Sequence, residues 1–141
     1  MQNLFAALIL VMAATLGVVV RKRKPDAPSQ TLNLIPQQLN RKDFVSPEKP
    51  WLLVVFTSST CDACQDVATK AKVLTSHDVA VQIIDYLEMR NLHKQYAIDS
   101  VPTTVIADNL GVVQYGVLGP ITATDLWAAM ARCRDPKVLT D

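Results

Sequence analysis

Trp51-Leu52-Leu53-Val54-Val55-Phe56, followed after Thr57-Ser58-Ser59-Thr60 by Cys61-Asp62-Ala63-Cys64, is the stretch from which this chain is best read. Six apolar residues ending in a short polar loop predict a buried strand that runs into a helix N-terminus. Two thiols one helical turn apart can cycle between dithiol and disulfide. The free amides and positive dipole end of the first turn stabilise a thiolate on the first sulfur. The stretch therefore points to redox chemistry.

Composition bounds what surrounds it. The chain has 141 residues, 14 Lys and Arg against 13 Asp and Glu, and a formal charge of +1. After the unlike N-terminal segment, room remains for one domain of about 100 residues with a real core. No basic stripe interleaved with aromatics runs through it, so no nucleic-acid partner is expected. The third cysteine, Cys133, lies far from the pair. Three cysteines so placed do not make a disulfide-stapled scaffold.

Leu4 to Val20 is an apolar run with Thr15 as its clearly polar member, followed at once by Arg21-Lys22-Arg23-Lys24. Its length is near the lower limit for a helix crossing about 30 Å of hydrocarbon, and no basic residue precedes it. An uncleaved single-pass anchor is the reading, with the basic flank holding the globular part on the cytoplasmic side of a cell membrane. The alternative is a secretory signal with an extracytoplasmic domain. Anionic lipid headgroups would attract the basic cluster in either case. The organisation is an anchor over 1–24 (span 4–20), a linker over 25–30, a domain over 31–134 and a tail over 135–141.

Between Pro25 and Pro50, five prolines interrupt any long helix. Within this region Leu32-Asn33-Leu34-Ile35 reads as a short edge strand and Gln37 to Phe44 as a brief helix. Cys64, Val67, Ala68, Ala71 and Leu74 then fall on one face of an amphipathic helix. Val79 to Ile84 reads as a strand covered on both faces, placed at the centre of the sheet. Glu88 to Tyr96 is helical. Thr103–Ala107 and Val112–Tyr115 form a hairpin around Asp108-Asn109-Leu110-Gly111. A last helix carries Leu126, Ala129, Met130 and Cys133 behind Thr122 and Thr124 as candidate N-caps.

This order of elements resembles the thioredoxin family, over residues 31–134. Two motifs carry the resemblance: the strand ending in Phe56-Thr57-Ser58-Ser59-Thr60 before Cys61, and Tyr96-Ala97-Ile98-Asp99-Ser100-Val101-Pro102-Thr103. The implied fold is α/β, a central mixed sheet flanked by helices, here preceded by one transmembrane helix. By the same resemblance Cys61 is the nucleophile and Cys64 the resolving thiol of thiol-disulfide exchange. Pro102 is a cis-proline beside the sulfurs, Val101 pairs with an extended substrate peptide, and Gly119 borders the substrate groove. Partners would be protein disulfides and an electron donor such as a thioredoxin reductase or a membrane electron carrier. No cofactor is implied, and similar membrane-tethered members occur in bacteria.

The chain departs from that pattern. An acidic residue that moves protons in typical members is Val55 here, and its partner lysine aligns with Val81. Thr60 stands for the usual tryptophan, and Asp62-Ala63 for Gly-Pro. Two other readings of the pair follow: a peptide-binding module without redox turnover, and a metallochaperone or thiol sensor with soft sulfur ligands. His77 and His93 read as solvated, Cys133 as a buried inert thiol, and Trp51 and Trp127 as core or boundary residues.

Overall fold

The structure, a computed structural model, describes residues Leu34–Pro136. The chain divides into two units after Gln30, and the described residues belong to the second. The apolar run Leu4–Val20, its basic flank and the tail from 137 onward lie outside the described residues. Among those described, no helix is long and apolar enough to cross a membrane.

Strand β1, Trp51–Thr57, is buried from its second residue onward. Its side chains alternate between two apolar clusters, as the period of two requires. Leu52, Val54 and Phe56 enter one cluster, and Leu53 and Val55 the other. Helix α1, Asp62–Lys72, turns Cys64, Val67, Ala68 and Ala71 inward. Strand β2, Val79–Asp85, pairs parallel with β1, and β3, Thr103–Ala107, pairs antiparallel with it. Strand β4, Val113–Leu118, pairs antiparallel with β3. Helix α2, Arg90–Gln95, precedes β3, and helix α3, Ala123–Arg134, closes the fold with Thr122 as its N-cap.

The sheet order is β2-β1-β3-β4. This is the expected mixed sheet, with one correction: β2 lies at an edge, and β1 and β3 are central. Val79 to Ile84 reads as central because helices cover both its faces. Covered faces say nothing about lateral neighbours, and hydrogen-bond pairing alone decides those. One face carries Phe44, Leu92 and Ile98, and the other carries residues of α1 and α3.

The segment before β1 differs from its reading. Of the expected edge strand, Leu32 and Asn33 lie outside the described residues, while Leu34 lies in a 3-10 turn and Ile35 in a bend; the nearest pairing among the described residues is a lone bridge from Gln38 to Val112. The expected helix over 37–44 shortens to a 3-10 turn, Arg41–Asp43. Arg41 accounts for the irregular path. Its buried guanidinium donates to the carbonyls of Lys49 (3.0 Å), Asp108 (2.9 Å) and Ser46 (3.2 Å), which ties the loop to the β3–β4 turn. In that turn Asp108 Oδ1 accepts from Leu110 and Val112 N–H. Gly111 takes a φ of +82°, and a Cβ there would lie 1.9 Å from the Leu39 carbonyl oxygen.

The Tyr96 hydroxyl donates to Asp43 Oδ2 at 2.6 Å and accepts the Asn40 N–H at 3.0 Å. Burial, then the Asp43 carboxylate, push its ionisation up to about 12 from 10.0. A group whose folded value is raised contributes stability that is fully present below pH 10 and is lost as pH climbs through 12. Urea denaturation from pH 8 upward is expected to show this alkaline loss in the native chain. The Tyr96→Phe variant should lack that component, while standing about 1 kcal/mol lower at neutral pH.

Candidate functional site

The register places the chemistry. Phe56 pairs with Thr103, and Thr103 with Leu118, so the end of β1, the start of β3 and the end of β4 meet at one end of the sheet. Cys61 follows the first, Val101 and Pro102 precede the second, and Gly119 follows the third. These four residues therefore gather at that end, and Cys64 joins them through its bond to Cys61.

Thr57 ends β1 with its carbonyl accepting the Tyr86 N–H. Ser58 to Thr60 then turn the chain: the Ser58 carbonyl accepts the Cys61 N–H at 3.1 Å, and the Ser58 and Thr60 hydroxyls lie 3.2 Å apart. Cys61 is the N-cap of α1, a position where an acceptor meets otherwise orphaned amides. Its sulfur accepts the Cys64 N–H at 3.2 Å. The same donor would stabilise a thiolate on Cys61 once the bond is reduced.

Cys61 and Cys64 are bonded to each other, with Cα atoms 5.3 Å apart. Their exposure differs. Cys64 is wholly buried and Cys61 is half-buried, so an incoming thiolate meets the Cys61 sulfur first. Asp62 between them is exposed, in the first helical turn. Its charge favours the helix N-terminus and opposes a second anion on Cys61.

The Val101–Pro102 peptide bond is cis. Pro102 is buried, and its carbonyl accepts the Gly119 N–H at 2.7 Å, which ties the proline loop to the end of β4. Gly119 adopts a φ of +87°, with open space where a Cβ would point. The Thr103 hydroxyl donates to the Ser100 carbonyl at 2.6 Å, bracing the same loop.

Beneath the disulfide the support is hydrocarbon. Val55 is fully buried in the cluster that holds Val67 and Ala71 of α1, and Val81 packs against that cluster. Directly opposite Val55 stands Thr104, fully buried, its hydroxyl without a partner among the described residues. That hydroxyl escapes a sequence reading because a threonine in a strand carries no burial signal of its own.

His93 needs correction: it is 2% exposed, not solvated. Because a carbonyl can only accept, its Nε2 donates to the Ile84 carbonyl at 3.0 Å. Its ring meets Phe56 and Tyr86 edge-on, with centroids 5.2 and 5.3 Å away. His77 is fully exposed as expected. Cys133 is half-buried rather than buried, and desolvation pushes its thiol up, away from the reactive thiolate. Trp127 is exposed and Trp51 half-buried. Among the described residues no three His, Cys, Asp or Glu side chains are placed to hold a metal ion.

The family described as Thioredoxin matches residues 34–132. Among solved structures, a thioredoxin from Halobacterium salinarum is 28% identical, with a TM-score of 0.53, over 66% of this chain and 82% of its own. The germline-specific thioredoxin Deadhead from Drosophila melanogaster is 21% identical, with a TM-score of 0.55, over 64% of this chain and 88% of its own. The latter likeness is one of fold. No curated protein matches the chain.

Among the described residues, the two glycines with positive φ separate strain from collision. Gly119→Ala is expected to cost about 1–2 kcal/mol, the price of a left-handed backbone for a residue with a Cβ. Gly111→Ala should cost more, because its Cβ also collides with the Leu39 carbonyl. Urea midpoints at constant slope check the order of the two.

Proposed function

The chain belongs to the thioredoxin family, and on that premise we propose that it is a membrane-tethered thiol-disulfide oxidoreductase acting on protein disulfides. The observation that carries the reading is the Cys61–Cys64 disulfide at a helix N-terminus, its outer sulfur accessible and its inner sulfur buried. In the reducing direction the Cys61 thiolate attacks one sulfur of a substrate disulfide, forming a mixed disulfide and releasing a substrate thiolate. Cys64, deprotonated, then attacks the Cys61 sulfur, and the second substrate sulfur leaves. Two electrons pass to the substrate, its thiolates take two protons, and the protein closes its own disulfide.

Val101, Pro102 and Gly119 are assigned to peptide binding. A cis-proline offers no N–H, so the backbone beside it is free to pair with an extended substrate strand. Leu4–Val20 and its basic flank are assigned to a single-pass anchor that leaves the domain, from residue 31, in the cytoplasm of a bacterial cell. A thioredoxin reductase would then supply electrons. An outward-facing domain would instead depend on a membrane carrier.

A second reading has one observation in its favour. Val55 and Val81 leave the site without the ionisable pair that moves protons in typical members, as a peptide-binding module without turnover would permit.

Cys61→Ser in the full-length chain is expected to lower insulin-disulfide reduction by at least about a hundredfold, since the thiolate is the nucleophile. Undiminished activity would exclude the oxidoreductase. Equilibration of the native chain with defined dithiothreitol couples decides direction: a potential near about −270 mV fits a cytoplasmic reductant, and one near about −120 mV an outward-facing oxidant.

A further inference from the structure

Beside the disulfide, at the same end of the sheet, Ser58, Tyr86, His93, Ile98, Asp99 and Val101 line a cleft of about 390 Å³. Two of its members place it against the reactive centre. The Ser58 carbonyl holds the Cys61 N–H, and Val101 is the residue joined to Pro102 by the cis bond. A polypeptide paired along Val101 would therefore send a neighbouring side chain toward this opening.

The lining has two parts. Ile98 is buried and Val101 half-buried, and the Tyr86 ring stands edge-on to His93, so the walls are apolar and aromatic. His93 is held in place by its bond to the Ile84 carbonyl and by Phe56 behind it. The rim carries Asp99, which is exposed and takes part in none of the ion pairs of the described residues. Asp99 is the one carboxylate of the lining, which holds no lysine or arginine; Arg90 and Lys94 neighbour it in the chain from α2. Arg90 lies over the Tyr86 ring, 5.0 Å from its centroid, and is not part of the lining.

The geometry points to a specificity pocket for a lysine or arginine side chain of the substrate polypeptide, next to the cysteine that Cys61 attacks. The aliphatic stem lies along Tyr86, Ile98 and Val101, and the cationic head reaches Asp99, as amphipathic side chains do in half-apolar sites. An acidic side chain would meet the Asp99 carboxylate instead, so the cleft selects against it. This inference rests on the oxidoreductase reading and names its substrate class: disulfides flanked by basic residues.

The test uses the full-length chain and disulfide-linked peptides bearing Lys, Gln or Glu beside the cysteine, at low ionic strength. The Lys peptide is expected to exceed the Gln peptide about fivefold in kcat/KM, with Glu lowest, as a partly exposed charge pair allows. Added salt should narrow the range. Asp99→Asn should level the series, and Asp99→Lys should invert it. Equal use of the Lys and Glu peptides, or an order that survives Asp99→Asn, overturns the pocket. Binding of the same peptides with S-methylated cysteines supplies a readout that needs no turnover. Failure of the native chain to reduce 2-hydroxyethyl disulfide refutes the oxidoreductase instead. The order of affinities among the S-methylated peptides then still decides the cleft.

Discussion

The structure depends on one strand being buried on both faces and paired along both edges. β1 meets β2 in parallel and β3 antiparallel, and its alternating side chains nucleate both clusters of the core. β1 carries no polar side chain until its last residue, Thr57, after which the chain leaves the sheet. The chain must then satisfy the free amides of the next helix, and Cys61 does so as N-cap. Thus the demand of the core for continuous apolar pairing ends, four residues later, in a sulfur held against a helix N-terminus.

The same constraint shapes the chemistry. Because Val55 and Val67 fill the layer between sheet and α1, the helix that buries Cys64 packs on hydrocarbon rather than on a carboxylate at position 55. In low dielectric an ionised Cys64 would be costly, and the protons it exchanges must travel through groups other than an acid at position 55. The Thr104 hydroxyl opposite Val55, without a partner among the described residues, is a polar group already present in that layer. On the opposite face of the sheet, Phe56 carries His93 and, through it, Tyr86, so packing beneath the sheet also sets one wall of the cleft beside the disulfide.

How far the fold could be read in advance varied with the kind of signal. Local patterns were legible: Val67, Ala68 and Ala71 recur at helical spacing and are buried, and Thr122 caps the last helix. The turn after Ala107 was legible too, since Asp108 bonds two amides and Gly111 takes a positive φ. What failed were inferences about distant neighbours. The apolar face coverage of β2 does not distinguish an edge strand from a central one. A histidine among Arg90, Asn91 and Lys94 looks solvated until the sheet brings Phe56 beneath it. Residues 34–44 follow the hydrogen bonds of Arg41 to distant carbonyls, which outweigh local propensity.

For the site the division is similar. Spacing in the sequence by itself determined that Cys61 and Cys64 lie one helical turn apart behind a buried strand, because strand and helix periodicities are local properties of the chain. Only the tertiary structure decided that Pro102 and Gly119 join them at one end of the sheet, that Cys64 is sealed while Cys61 is reachable, and that Asp99, Tyr86 and His93 border a cleft there. Those facts follow from strand register and from packing between segments far apart in the chain, which no local pattern encodes.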